Sequence, residues 1–86
     1  MIKIRTFGAM RDYADNSGYI DLASEAATVA QLRSDLDQWL RQHHGAEYSP
    51  ALLASCVFAN DQQLLAEDSP LTAAMPLAVL PPVAGG

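Results

Sequence analysis

One cysteine, Cys56, is all the thiol the chain holds. It cannot close an internal disulfide, and there is no thiol cluster for a metal. Basic residues are almost as scarce. Lys3, Arg5, Arg11, Arg33 and Arg41 are the full set, and they form no run. Nucleic-acid binding by counterion release needs a basic patch, so that class is set aside. Long apolar stretches are missing too: none nears the roughly 18 residues that mark a membrane span. Nor does a signal peptide's apolar core follow the opening Met1-Ile2-Lys3. The expected setting is a reducing cytoplasm, with no nucleic acid and no membrane as partner.

What is present fits one folded unit. The chain has 86 residues, 50% of them hydrophobic and only 17% charged, a balance that favours a packed domain over disorder. A domain this small has little room for both a core and a deep active site. A function carried on the surface or at a terminus is therefore favoured. The net charge of −5 would suit a basic partner surface.

The chain alternates first. Residues 2–7 place Ile2 and Ile4 on one face of a strand, and Gly8 breaks the pattern. Met10, Tyr13 and Ala14 have helical spacing, which predicts a short helix over 9–15. Asn16-Ser17-Gly18 is turn chemistry, and Tyr19 to Leu22 reads as a second strand. Thr28 and Gln31 have the spacing of a capping box. Behind them Val29, Leu32, Leu36, Trp39 and Leu40 recur at three- and four-residue intervals, which predicts an amphipathic helix of about four turns. It frays near His43-His44 and stops at Gly45. Ser49-Pro50 opens a helical turn through Leu52 and Leu53. Residues 55–59 read as a buried strand, Asn60-Asp61 as a hairpin turn, 62–66 as the return strand and Asp68-Ser69-Pro70 as a turn. Residues 77–80 form a last strand that Pro81-Pro82 ends, because neither proline can donate to a sheet ladder. One amphipathic helix across a mixed sheet buries both apolar faces, which makes the class α+β.

The chain ends Pro81-Pro82-Val83-Ala84-Gly85-Gly86. Two terminal glycines arise by chance in about 0.5% of chains, and the apolar strand and Pro-Pro stop before them strengthen the signal. This ending resembles the Pro-Pro-Val-(small)-Gly-Gly terminus of the small subunit of molybdopterin synthase, the MoaD family of ubiquitin-like sulfur carriers to which the thiamine carrier is related. Met1-Ile2-Lys3-Ile4, the helix opening Thr28-Val29 and the turn Ser69-Pro70-Leu71-Thr72 also resemble that family. Ala73-Ala74-Met75-Pro76 replaces an Asp/Gly-rich turn, and Val79-Leu80 replaces aromatics.

The resemblance implies a β-grasp domain over 1–80 and an extended tail over 81–86. It implies a sulfur carrier that binds no cofactor itself. A ubiquitin-activating-like adenylyltransferase (MoeB-like) uses ATP to adenylate Gly86, and a sulfur-donor enzyme converts it to a thiocarboxylate. The large synthase subunit (MoaE-like) accepts the tail and holds the catalytic residues. There sulfur passes to a cyclic pyranopterin, building the dithiolene that binds molybdenum, within an assembly of two small and two large subunits. On this reading Gly86 is the reacting terminus, and Gly85, Ala84, Val83, Pro82 and Pro81 enter the partner's channel. Leu80, Val79 and Phe7 would join a docking patch. The alternatives are a carrier for thiamine or another pathway, and a ubiquitin-like protein modifier.

The tail residues suit that chemistry. Glycine has no side chain to obstruct a narrow channel and adopts backbone conformations closed to other residues. Proline stiffens the exit and limits the freedom lost on docking. Six extended residues reach at most about 20 Å, enough to insert a terminus while the folded body stays outside. Other residues have plainer readings. Cys56 is a small buried apolar residue in the strand over 55–59. His43 and His44 sit where the helix dipole favours imidazolium, without the further ligands a metal needs. Asp35 and Asp37, two apart on a helix, do not face each other, and Trp39 belongs to the core stripe. Thiocarboxylation of the chain should therefore persist in Cys56→Ala, as read by intact mass.

Overall fold

In the computed structural model, which describes residues 1–72 and 75–81, the opening alternation becomes strand β1 (Ile2–Thr6). Ile4 and Thr6 are buried, while Lys3 and Arg5 face out. The helix predicted over 9–15 is a tighter 3-10 helix at Gly8–Tyr13. Six residues offer few i to i+4 bonds, and Met10 alone among them is buried. Strand β2 (Tyr19–Leu22) returns antiparallel, with Ile20 opposite Ile4 and Leu22 opposite Ile2. Thr6 is buried beside the apolar core. Its backbone N–H and its hydroxyl both donate to the Gly18 carbonyl, at 2.9 and 2.7 Å, so its burial leaves no polar atom unpaired.

Helix α1 (Val29–His44) starts where the capping box places it. Thr28 Oγ1 accepts from the Gln31 N–H at 3.3 Å. Gln31 Oε1 reaches back to the Ala27 N–H at 2.8 Å, one residue upstream of the partner a capping box would give it. The next free donors, Val29 and Ala30, bond the carbonyls of Ser69 and Glu67 at 3.2 and 2.9 Å. The strap over 67–71 thus completes the helix start. Val29, Leu32, Leu36 and Leu40 are fully buried. Trp39, expected in the core, is only partly so. It lies on the flank of the stripe, with its indole stacked on the His43 ring at 4.3 Å. Gly45, at φ 55°, ends the helix and donates its N–H to the Arg41 carbonyl.

Helix α2 (Pro50–Ser55) carries proline in its first turn. The strand expected over 55–59 is shorter: β3 spans Val57–Ala59. Ser55 closes α2 and Cys56 caps it, with the Cys56 N–H on the Leu53 carbonyl at 3.1 Å. Arg33 explains why the chain stays helical so far. Its guanidinium donates to the Leu53 and Cys56 carbonyls at 2.6 and 3.0 Å, and grips Glu67 through two further bonds at 2.9 and 2.8 Å. Strand β4 is only Leu64–Leu65, because the Gln62 and Gln63 N–H groups are taken by Asn60 Oδ1. Strand β5 is Leu77–Leu80. Among the described residues the strands form one sheet in the order β2-β1-β5-β3-β4, parallel only between β1 and β5. With α1 packed across one face, this is the α+β β-grasp architecture.

The end of α1 is locked to the following turn. The Tyr48 hydroxyl donates to Asp37 at 2.6 Å, and Arg41 Nε donates to the other carboxylate oxygen at 2.8 Å. The Tyr48 hydroxyl, and after it Arg41, holds the Asp37 carboxyl below its ordinary 3.8. Burial, and after it Asp37, pushes the Tyr48 phenol up. Since folding lowers the Asp37 value, its contribution is complete above 3.8 and fades as pH falls through the folded value. Tyr48→Phe should cost about 1 kcal/mol near neutral pH. The gap to the parent should narrow in acid below that range, as urea melts at the two pH values would show.

Candidate functional site

The parallel pairing of β1 with β5 puts the ends of both strands at one point. Ile4 lies beside Leu77, Arg5 beside Ala78 and Thr6 beside Val79. One step on, Phe7 and Leu80 line the same groove, and the Pro81 ring meets the Gly8 backbone. The expectation that Phe7 joins Leu80 in one patch rests on the first strand ending nearby, and the fold places both residues on one groove. Pro81 is half-buried. Pro82, Val83, Ala84, Gly85 and Gly86 lie outside the described residues.

Val79 does not belong to this surface. It is fully buried, on the inward face of β5 opposite Phe58. The correction follows from period-two alternation: Leu77 and Val79 face α1, whereas Ala78 and Leu80 face away.

The outward face of the sheet forms a shallow groove of about 600 Å³ leading to that exit, lined by Arg5, Phe7, Tyr19, Ala78 and Leu80 among others. Lys3 Nζ sits 4.6 Å from the Tyr19 ring centre, and the Arg5 guanidinium 5.2 Å from that of Phe7. Two of the chain's five cations therefore stand on this face over aromatic rings, and Asp61 lines the same groove. Net charge pointed to an acidic body and a basic partner, but strand alternation places cations beside the exit. A second groove, of about 870 Å³, is lined by β2, α1 and the segment between them, with Asp21, Glu25, Asp35 and Trp39. It contains neither Phe7 nor Leu80 and is not part of this site.

Among the described residues, the groove's lining pairs no cysteine, serine or threonine with a histidine. Cys56 is buried, its thiol donates to the Leu52 carbonyl at 3.1 Å, and burial pushes its pKa up. It sits at a helix cap, not in the strand expected for it. His43 is stacked on Trp39, and His44 packs edge-on against Tyr13 at 4.9 Å. Among the described residues no three His, Cys, Asp or Glu side chains are grouped to hold a metal, and no helix is long and apolar enough to cross a membrane. What the site offers is a groove carrying Lys3, Arg5 and Asp61 beside apolar side chains, at the end of the sheet where Pro81 lies.

A family model described as the ThiS family matches residues 4–86. No curated protein matches the chain.

The two neighbours at the end of β5 should behave differently when truncated. Val79→Ala should lower stability by about 2 kcal/mol, because it empties a fully buried site. Leu80→Ala should cost less than about 1 kcal/mol. Thermal melts of the two variants check this.

Proposed function

The chain belongs to the ThiS family, the ubiquitin-like sulfur carriers, and on that premise we propose that it is the carrier subunit of molybdopterin synthase. The observation that carries this choice is the ending Pro81-Pro82-Val83-Ala84-Gly85-Gly86. The family match is equally compatible with thiamine synthesis. Carriers of this family work with an adenylyltransferase and a sulfur-accepting enzyme. In the proposed cycle these are the ubiquitin-activating-like enzyme and the large synthase subunit.

A carboxylate is a poor electrophile. The Gly86 carboxylate attacks the α-phosphate of ATP, pyrophosphate leaves, and the terminus becomes a mixed anhydride. Sulfur from the donor then replaces AMP at the acyl carbon, and the terminus becomes a thiocarboxylate. In the large subunit that sulfur bonds to the pyranopterin, water cleaves the acyl–sulfur bond, the sulfur stays on the pterin, and Gly86 returns to a carboxylate. On this reading the base, metal ligands and oxyanion hole for these steps belong to the carrier's partners. The carrier supplies the reacting atom, a slender approach to it, and a docking face around Phe7 and Leu80. The Lys3 and Arg5 cations on that face favour partners with carboxylates around an apolar centre.

Deleting Gly86, or adding one residue beyond it, should abolish sulfur transfer while the thermal melt stays that of the parent. The decisive measurement is intact mass after incubation with ATP, activating enzyme and sulfur donor. A gain equal to one oxygen-to-sulfur exchange is expected. Turnover with the large synthase subunit, set against a thiazole-forming enzyme, distinguishes the molybdenum pathway from thiamine. Covalent ladders on other proteins would instead identify a protein modifier.

A further inference from the structure

We propose that Gly8 is a positioning residue for the tail: its bare backbone is the seat against which the Pro81 ring rests, and this seat fixes the direction in which the chain leaves the sheet. The proposal rests on the carrier reading and adds a part to it.

Two separate features require glycine at position 8. The first is conformation. Phe7 is extended at φ −140° and ψ 156°, and Gly8 then turns to φ 60° to open the 3-10 helix. Residues with a Cβ rarely adopt that backbone. The second is space. A Cβ on Gly8 would lie 2.9 Å from Pro81 Cγ, 3.3 Å from Cβ and 3.6 Å from Cδ. Three ring atoms in that range mean that the Pro81 ring fills the space a side chain at position 8 would take. Gly18 and Gly45 also have positive φ, but a Cβ on either would meet nothing within 4 Å. The close approach is specific to the exit.

Both sides of the contact are stiff. On one side, the Gly8 turn is held by β1, by Met10 buried in the core, and by the Thr6 bonds to the Gly18 carbonyl. On the other, β5 is paired to both β1 and β3 through Val79 and to β3 at Leu80, and proline allows only a narrow range of φ at position 81. A ring pinned between a fixed turn and a fixed strand leaves the first tail residue little freedom. A tail aimed at its root loses less conformational entropy when a partner's channel takes it in. The effect should appear in the affinity of partners for the carrier and spare the chemical step.

The test varies carrier concentration in ATP–pyrophosphate exchange with the cognate activating enzyme. Gly8→Ala should raise the KM for the carrier about three- to tenfold, with kcat within about twofold of the parent. Gly18→Ala imposes the same kind of backbone strain with nothing to strike. It should lower the thermal midpoint by a similar amount and leave KM unchanged. Pro81→Ala should raise KM in the same direction without moving the melt. Adding Gly8→Ala to Pro81→Ala should cause little further rise, because the two act through one contact. Equal KM values for Gly8→Ala and Gly18→Ala, or fully additive effects of Gly8→Ala and Pro81→Ala, would overturn the proposal. If Gly8→Ala does not fold, Pro81→Ala alone decides, and an unchanged KM rejects the seat. An activating enzyme that ignores the parent chain would refute the carrier reading instead. NMR then judges the seat independently: cross-peaks between Gly8 Hα and the Pro81 ring support it, and their absence rejects it.

Discussion

The parallel pairing of the first strand with the last is the constraint from which the rest follows. β1 and β5 lie at the middle of the sheet, flanked by β2 on one side and β3 on the other. Parallel neighbours cannot be joined by a tight turn. The long connection between them must cross a face of the sheet, and α1 fills that crossing. Because β1 and β5 point the same way, their ends come together: Phe7, just past β1, and Leu80, the last residue of β5, line one groove, and Gly8 lies against Pro81. A surface beside the tail is thus a product of topology.

The body around this axis is braced by polar contacts that tie distant segments. Arg33 joins α1 to the end of α2 and to Glu67. Its guanidinium also lies 5.0 Å from the Phe58 ring centre. It holds the Glu67 carboxyl below its ordinary range. The strap that carries Glu67 also supplies the carbonyls that receive the first N–H groups of α1. One cation and one strap therefore connect helix start, short helix and sheet. Such bracing suits a molecule proposed to present a reactive end while its own fold stays unchanged.

Much of this was legible in the residues. The capping pair Thr28 and Gln31, the stripe from Val29 to Leu40 and the stop at Gly45 are local signals, and local physics placed α1 to the residue. The first strand and the last were read from alternation and from proline. The misreadings share one cause. Cys56 was placed in a strand because its neighbours are apolar, yet Arg33, more than twenty positions earlier, draws its carbonyl into the cap of α2. Val79 joins the docking patch only when the apolar run before Pro81 is read as one surface; alternation splits it from Leu80 and sends it to the core. The cations beside the exit were hidden by a net charge that averages over the whole surface. The meeting of Gly8 with Pro81 spans almost the entire chain, and nothing local to either residue announces it. The family ending at 81–86 was the most specific signal and owed nothing to structure.

The central place of β5 has a mechanical side. A partner that draws on the chain beyond Pro81 pulls along the axis of β5. Hydrogen bonds to β1 and β3 run across that axis on both edges. Load applied this way is shared by all of them in shear, whereas a strand at the rim of the sheet would peel away one bond at a time. The molecule can be held by its end and tugged, and its ladder resists as a unit.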